Sequence, residues 1–129
     1  MVKKLDKTTA GQIAELCAAK ELVKNGFRVY FPHQANSKDD DLAVVNIKSR
    51  NVYRVQVKSK NDTRIPWSAM YYFKNIKKKA HKSLFFILYE KPTEKFYIVP
   101  SQQLAKLEAD KKGFSDEKGK YLGKWDLLK

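Results

Sequence analysis

The sequence contains a single cysteine, Cys17, among its 129 residues. One thiol excludes an intramolecular disulfide and is typical of proteins kept in a reducing cytosol, so we expect a cytoplasmic location. The two histidines, His33 and His81, lack the spacing of zinc ligands. Neither a glycine-rich phosphate loop nor a Gly-x-Ser-x-Gly elbow is present. These absences exclude disulfide scaffolds, zinc fingers, P-loop NTPases and α/β-hydrolases.

Long apolar runs are also scarce. The longest, at residues 83–90, is too short to cross a bilayer, and the charged residues 1–6 are not followed by the apolar segment of a signal peptide. We therefore expect no membrane partner. The sequence contains only 4 prolines and 5 glycines, and no repeat or linker divides it. One domain spanning residues 1–129 is expected.

Acidic residues are outnumbered, with 14 Asp and Glu against 27 Lys and Arg and a formal net charge of +13. Such a chain should bind polyanions through counterion release. Basic composition alone also fits RNA-associated or membrane-surface proteins. Aromatic residues at positions 67 and 71–73 lie among the basic clusters and either stack on bases or, as we favour, pack in the core. The candidate nucleic-acid contacts are Lys48, Arg50, Lys60, Arg64, Lys77, Lys78 and Lys79.

Hydrophobic periodicity predicts an α/β domain with a mixed sheet. Helices are predicted at residues 8–25, at 68–79 with strand or irregular structure as alternatives, and at 101–110 with Ser101 as the cap. Strands are predicted at 27–32, in a hairpin with a turn at 48–51, at 83–90 and at 95–100. The strand at 83–90 should run parallel to a hairpin strand, and the apolar residues after 120 should dock on the domain.

The hairpin carries the candidate chemistry. If Ile47 pairs with Val52, Asp41 lies opposite Lys58, and Asp41, Gln56 and Lys58 share one face of the sheet. A one-residue slip would bring Asp40 to that face instead. Carboxylate and amide oxygens suit Mg²⁺, and a lysine can orient water or neutralise charge on a phosphate. The alternative is a solvated strand end without chemistry.

Glu15 is a candidate third member of this site. At about 100° per residue, Leu16, Ala19, Leu22 and Val23 form one apolar arc of the first helix, and Glu15 falls inside it. A buried carboxylate is costly unless it is paired or binds a metal. Alternatively, Glu15 reaches water from the edge of the arc or pairs with a cation.

The order of these elements resembles the PD-(D/E)xK nuclease superfamily, which includes restriction endonucleases, Holliday-junction resolvases and some homing endonucleases. The resemblance implies a restriction endonuclease-like fold, with a mixed central β-sheet of about five strands flanked by helices. It implies that Asp41 binds metal, that Lys58 is the catalytic lysine and that Glu15 is the helical acid. Gln56 stands where Asp or Glu is usual, and a neutral amide holds a cation more weakly. The expected cofactor is Mg²⁺, with Mn²⁺ as a substitute.

Three functions follow from the sequence. The first is a metal-dependent DNA endonuclease with Glu15, Asp41, Gln56 and Lys58 as its catalytic residues. The second is an inactive nucleic-acid-binding module on the same fold. The third is a basic, RNA-associated protein of another α/β fold. The expected partner of the nuclease is duplex or branched DNA, and a homodimer is a further expectation because cutting both strands often calls for two active sites.

Overall fold

The computed structural model describes residues 7–32, 41–60, 76–116 and 118–129. Within these residues the chain forms five strands, three α-helices and a short 3-10 helix at Trp125–Leu127. The elements in chain order are α1 (Lys7–Lys24), β1 (Phe27–Tyr30), β2 (Leu42–Asn46), β3 (Val52–Lys60), α2 (Ile76–Lys79), β4 (Leu84–Glu90), β5 (Lys95–Pro100) and α3 (Ser101–Ala109). Residues 68–75 of the helix predicted at 68–79 lie outside the described ranges.

The described strands make one mixed sheet in the order β1-β2-β3-β4-β5. Neighbouring strands are antiparallel except β3 and β4, which are parallel as the sequence predicted. A parallel pair needs a crossover connection, and α2 lies in it. The side chains of β4 from Leu84 to Tyr89 are all buried, which explains the continuous apolar run of this strand.

Helix α1 covers one side of the sheet with a face made largely of alanines. Ala14, Ala18 and Leu22 are buried and belong to the core cluster between the helix and the sheet. The predicted arc was wrong for Leu16 and Val23, which are 59% and 60% exposed. Alanine side chains allow a helix to approach a sheet closely, so the larger residues point away from it.

The other side of the sheet is covered only in part. Helix α3 packs through Leu104 in a second cluster that includes Phe86 and Leu88 of β4 and Val99 of β5. Leu42 and Val44 of β2 and Val55 and Val57 of β3 belong instead to the cluster beneath α1. Consequently, the described helices leave the far side of β1, β2 and β3 open, and Tyr30 and Val52 are 52% and 59% exposed there.

The predicted hairpin register was wrong by two residues. Val45, not Ile47, pairs with Val52. The turn is longer than expected because the side chain of Asn46 accepts hydrogen bonds from the backbone N–H groups of Lys48 and Ser49, at 2.9 and 3.2 Å. A shift of two residues leaves the paired side chains on their predicted faces, so Gln56 and Lys58 still share one face. Asp41 lies before the paired residues of β2, which begin at Leu42.

The C-terminal residues dock on the domain as expected. Leu128 is fully buried in the cluster beneath α1. Asn46 Nδ2 donates to the carbonyl of Leu128 at 2.8 Å, and the Tyr53 hydroxyl donates to the carbonyl of Lys129. These bonds tie the tail to the β2–β3 hairpin.

Ser101 does not cap α3, contrary to expectation. Its Oγ donates to the carbonyl of His81 and accepts from the His81 backbone N–H, at 2.8 and 2.9 Å. Pro100 occupies the N-cap position and makes no side-chain capping bond. Ser101 therefore fixes the start of α3 against the segment that precedes β4. Among the described helices, none is long and apolar enough to cross a membrane.

Candidate active site

Asp41 lies immediately before β2, where the chain bends away from the regular ladder. Its backbone N–H donates to the carbonyl of Val55 at 2.8 Å, and its Oδ2 accepts from the Val57 N–H at 2.8 Å. These two bonds lie on either side of Gln56 along β3. Asp41 is therefore held beside Gln56 by the backbone of the neighbouring strand. Asp40, the alternative in the sequence, lies outside the described residues.

Glu15 reaches this carboxylate from α1. Glu15 lies between Ala19 and Leu22 on the helical wheel, and both of these residues are buried. Glu15 therefore faces the sheet, whereas Leu16 and Val23 of the predicted arc do not. Burial raises the pKa of the Glu15 carboxyl above its usual value, and the charge of Asp41 together with a hydrogen bond between the two carboxyls raises this pKa further. Two carboxyl groups thus meet at a half-buried position.

Gln56 and Lys58 lie on the side of the sheet opposite to α1. Val55 and Val57 pack in the cluster beneath the helix, and side chains alternate along a strand. Gln56 and Lys58 are both partly exposed. Strand geometry brings these two side chains next to each other on one face, with Asp41 at the end of the neighbouring strand.

The donor set suits a hard divalent cation. Two neighbouring carboxylates are stabilised by a cation between them, and an amide oxygen is a further ligand of the type that Mg²⁺ accepts. Within the described ranges, no cluster of three His, Cys, Asp or Glu side chains occurs. A cation at Glu15 and Asp41 would therefore need neutral oxygens, such as the Gln56 amide, to complete its shell.

The predicted nucleic-acid contacts differ in exposure. Lys48, Arg50, Lys78 and Lys79 are exposed. Lys60 is only 7% exposed and offers little surface to a polyanion. Arg64 and the aromatic residues of the segment 61–75 lie outside the described residues, as does the side chain of Lys77.

A sequence profile of the PD-(D/E)XK endonucleases matches residues 5–113, which include α1, the whole sheet and the carboxylate pair. The chain belongs to the PD-(D/E)XK endonuclease family. This membership supports a nuclease activity in general, and enzymes of the family use divalent metals. That Asp41 and Gln56-x-Lys58 occupy the acid and lysine positions of the family motif stays a prediction from the sequence.

The fold is confirmed by a solved structure. This PD-(D/E)XK protein is similar to a bacterial homing endonuclease, I-Ssp6803I, with a TM-score of 0.65 at 18% sequence identity. The alignment covers 96% of this chain and 93% of the other. The restriction endonuclease-like fold expected from the sequence is thus correct. Among curated proteins, none matches the sequence significantly.

Sequence reasoning missed how Asp41 is held. The bond from the Val57 N–H depends on the bend before β2, and no residue pattern indicates it. It also missed the basic side chains of the open sheet face, among them Arg28 and Arg54. Their period-two spacing with Tyr30 and Gln56 was the available signal.

Proposed function

We propose that this protein is a divalent-metal-dependent endodeoxyribonuclease that hydrolyses phosphodiester bonds. The observation that carries the proposal is the contact between the Glu15 and Asp41 carboxyls beside Gln56 and Lys58. Two neighbouring acids at a half-buried position are unfavourable for stability, since the charge of Asp41 raises the cost of ionising Glu15. A metal site gives that arrangement a function.

Mg²⁺ is the proposed cofactor, with Mn²⁺ as a substitute. Glu15 and Asp41 would supply the anionic ligands, and the Gln56 amide oxygen a neutral one. When bound, the cation polarises the scissile phosphate and stabilises the negative charge that develops on its oxygens.

Lys58 is proposed to act on the attacking water and on the phosphate. A protonated ammonium is the form that neutralises phosphate charge. Its neighbour two residues back, Gln56, lies on the same face, so a phosphate near the cation would also lie within reach of Lys58. The hydrogen bond from the Val57 N–H holds the Asp41 carboxylate, which contacts Glu15, next to β3.

DNA is the proposed substrate, either duplex or branched. The net charge of +13 favours a polyanion, and the family acts as endonucleases. The homodimer expected from the sequence stays a prediction, which sedimentation of the DNA-free protein would test.

The test is cleavage of supercoiled plasmid and of a labelled four-way junction, each with Mg²⁺, Mn²⁺ or EDTA. Wild type is compared with Asp41→Asn and Lys58→Ala, and with the control variants Asp126→Asn and Lys95→Ala, whose side chains are exposed outside the site. We expect metal-dependent products that both site variants lose and both controls keep. Cleavage that persists in Asp41→Asn would refute the assignment.

One observation favours a second function. Gln56 takes the place of an acid, and two carboxylates hold Mg²⁺ less tightly than three. A binding module that does not cleave would retard DNA at low salt, independently of Asp41, and give no product with either metal.

A further inference from the structure

The strand residues on the open face of β1, β2 and β3 are basic or uncharged, and Asp41 lies immediately before β2. Side chains alternate, so the residues opposite to the α1 cluster all belong to this face. The described residues on this face are Arg28, Tyr30, Ala43, Val45, Val52, Arg54, Gln56, Lys58 and Lys60. Four cations and no anion lie on the strands themselves, although Lys60 is only 7% exposed, and Arg50 extends the set at the hairpin turn.

Strand register arranges these side chains in rows across the sheet. Arg28 lies beside Val45, which pairs with Val52. One row closer to Asp41, Tyr30 lies beside Ala43, which pairs with Arg54. Each row thus carries one arginine, Arg28 on β1 and Arg54 on β3, and the small or apolar middle residues leave a shallow floor between them.

A depression of about 280 Å³ lies at the turn end of this floor. Arg28, Tyr30 and Arg50 contribute to its lining. Two guanidinium groups and a phenol around a concave surface are suited to a phosphodiester, because arginine binds phosphate oxygens in a bidentate manner and tyrosine donates a further hydrogen bond.

The floor is continuous with the proposed active site. Gln56 and Val52 are four residues apart on β3, which corresponds to about 13 Å. Duplex DNA rises about 3.4 Å per base pair. The floor thus spans roughly four base pairs of duplex that lead away from the carboxylates.

We propose that the open face of β1, β2 and β3 binds the sugar-phosphate backbone of duplex DNA, with Arg28 and Arg54 as phosphate contacts and Tyr30 against the sugars. This proposal rests on the proposed function for its substrate. Charge complementarity selects the occupant, since described strand residues that carry arginines and no acid, beside the proposed phosphodiester site, fit a phosphate backbone.

A matched pair of valines provides the test. Val52 on the open face and Val23 on the outer side of α1 are 59% and 60% exposed, so Val52→Glu and Val23→Glu add the same charge at equally exposed positions. Binding of a labelled 20-base-pair duplex is measured by fluorescence anisotropy in EDTA, where no cleavage occurs. We expect Val52→Glu to weaken binding by roughly tenfold and Val23→Glu to weaken it by less than roughly threefold.

Salt dependence then identifies phosphate contacts. Arg28→Ala and Arg54→Ala should each lower the slope of log K against log[salt] by about 0.9, whereas the slope of Lys95→Ala should remain that of wild type. Equal effects of the two valine variants, or unchanged slopes in the arginine variants, would overturn the proposal. Binding in EDTA is measured independently of cleavage.

If the face binds DNA but the protein does not cleave DNA with Mg²⁺ or Mn²⁺, only the nuclease function is refuted. If the protein cleaves DNA and binding does not depend on this face, only the present inference is refuted.

Discussion

Replacing Glu15 by Gln should stabilise the protein in the absence of metal. The substitution keeps the size and hydrogen-bonding capacity of the side chain and removes the charge that repels Asp41. Two unit charges about 4 Å apart repel by roughly 1 kcal/mol in water and by roughly 4 kcal/mol at an effective dielectric constant of 20. Because Glu15 is only half-buried, solvent screening favours the lower figure, and we expect a gain of about 1 kcal/mol.

The gain should depend on pH in a defined direction. The pKa of Glu15 is raised in the folded protein above its ordinary value of 4.5. The folded state therefore holds the proton more tightly than the unfolded state, and wild type loses stability as pH rises from about 4.5 through the folded pKa. The advantage of Glu15→Gln is complete above the folded pKa, is smaller at pH 4.5, where half of the unfolded Glu15 is ionised, and disappears at lower pH.

Urea unfolding followed by circular dichroism measures this effect in EDTA at pH 7.5 and pH 4.5. The control is Glu21→Gln, on the same helix, where the carboxylate lies 3.6 Å from the ammonium of Lys24 and its removal should cost between 0 and about 1 kcal/mol. Adding Mg²⁺ should stabilise wild type more than Glu15→Gln, by about 2.7 kcal/mol when the metal is at 100 times its Kd. If Glu15→Gln is less stable than wild type at pH 7.5 in EDTA, the reasoning is refuted.

Three further predictions concern neighbouring residues. Gln56→Glu adds a third carboxylate and should lower the Mg²⁺ concentration for half-maximal cleavage by roughly tenfold; a titration that shows no decrease argues against Gln56 as a ligand. Lys58→Arg keeps the charge but not its compact shape, and plasmid cleavage should fall by more than roughly tenfold; full activity would contradict the role of Lys58. Leu128→Ala removes a fully buried side chain and should cost about 2–5 kcal/mol in urea unfolding, whereas the exposed control Leu122→Ala should cost about 1 kcal/mol or less. Equal losses would mean that the tail does not anchor the hairpin.

The sequence was sufficient to predict the architecture and the side-chain faces of the strands. Strand β5 occupies the predicted residues 95–100, because a turn precedes it and proline ends it. The parallel β3–β4 pair followed from the long apolar run of β4, which is typical of a strand buried on both faces.

The errors in the buried face of α1 and in the hairpin register arose from contacts that no local sequence pattern indicates. Ranking residues by hydrophobicity favoured Leu16 and Val23 for the buried face of α1, whereas close packing on the sheet selected Ala14 and Ala18. The hairpin register depended on two hydrogen bonds to one side chain, Asn46, which lengthen the turn.

The membership of the candidate site stays a prediction from the sequence, and its geometry could not be predicted. Alternation put Gln56 and Lys58 on one face, and helical spacing turned Glu15 towards the sheet. The bend that lets Asp41 contact both Glu15 and the Val57 N–H depends on the tertiary approach of α1 to β3.

The most direct test of the account locates the cation within the chain. Fe²⁺ replaces Mg²⁺ at carboxylate sites, and with ascorbate and hydrogen peroxide it generates hydroxyl radicals that cut the nearby backbone. The account predicts fragments from cuts near Glu15, Asp41 and Val57, suppressed by excess Mg²⁺ and absent in Asp41→Asn. Cuts confined to other positions, or a fragment pattern that neither Mg²⁺ nor Asp41→Asn alters, would contradict a metal site at the carboxylate pair.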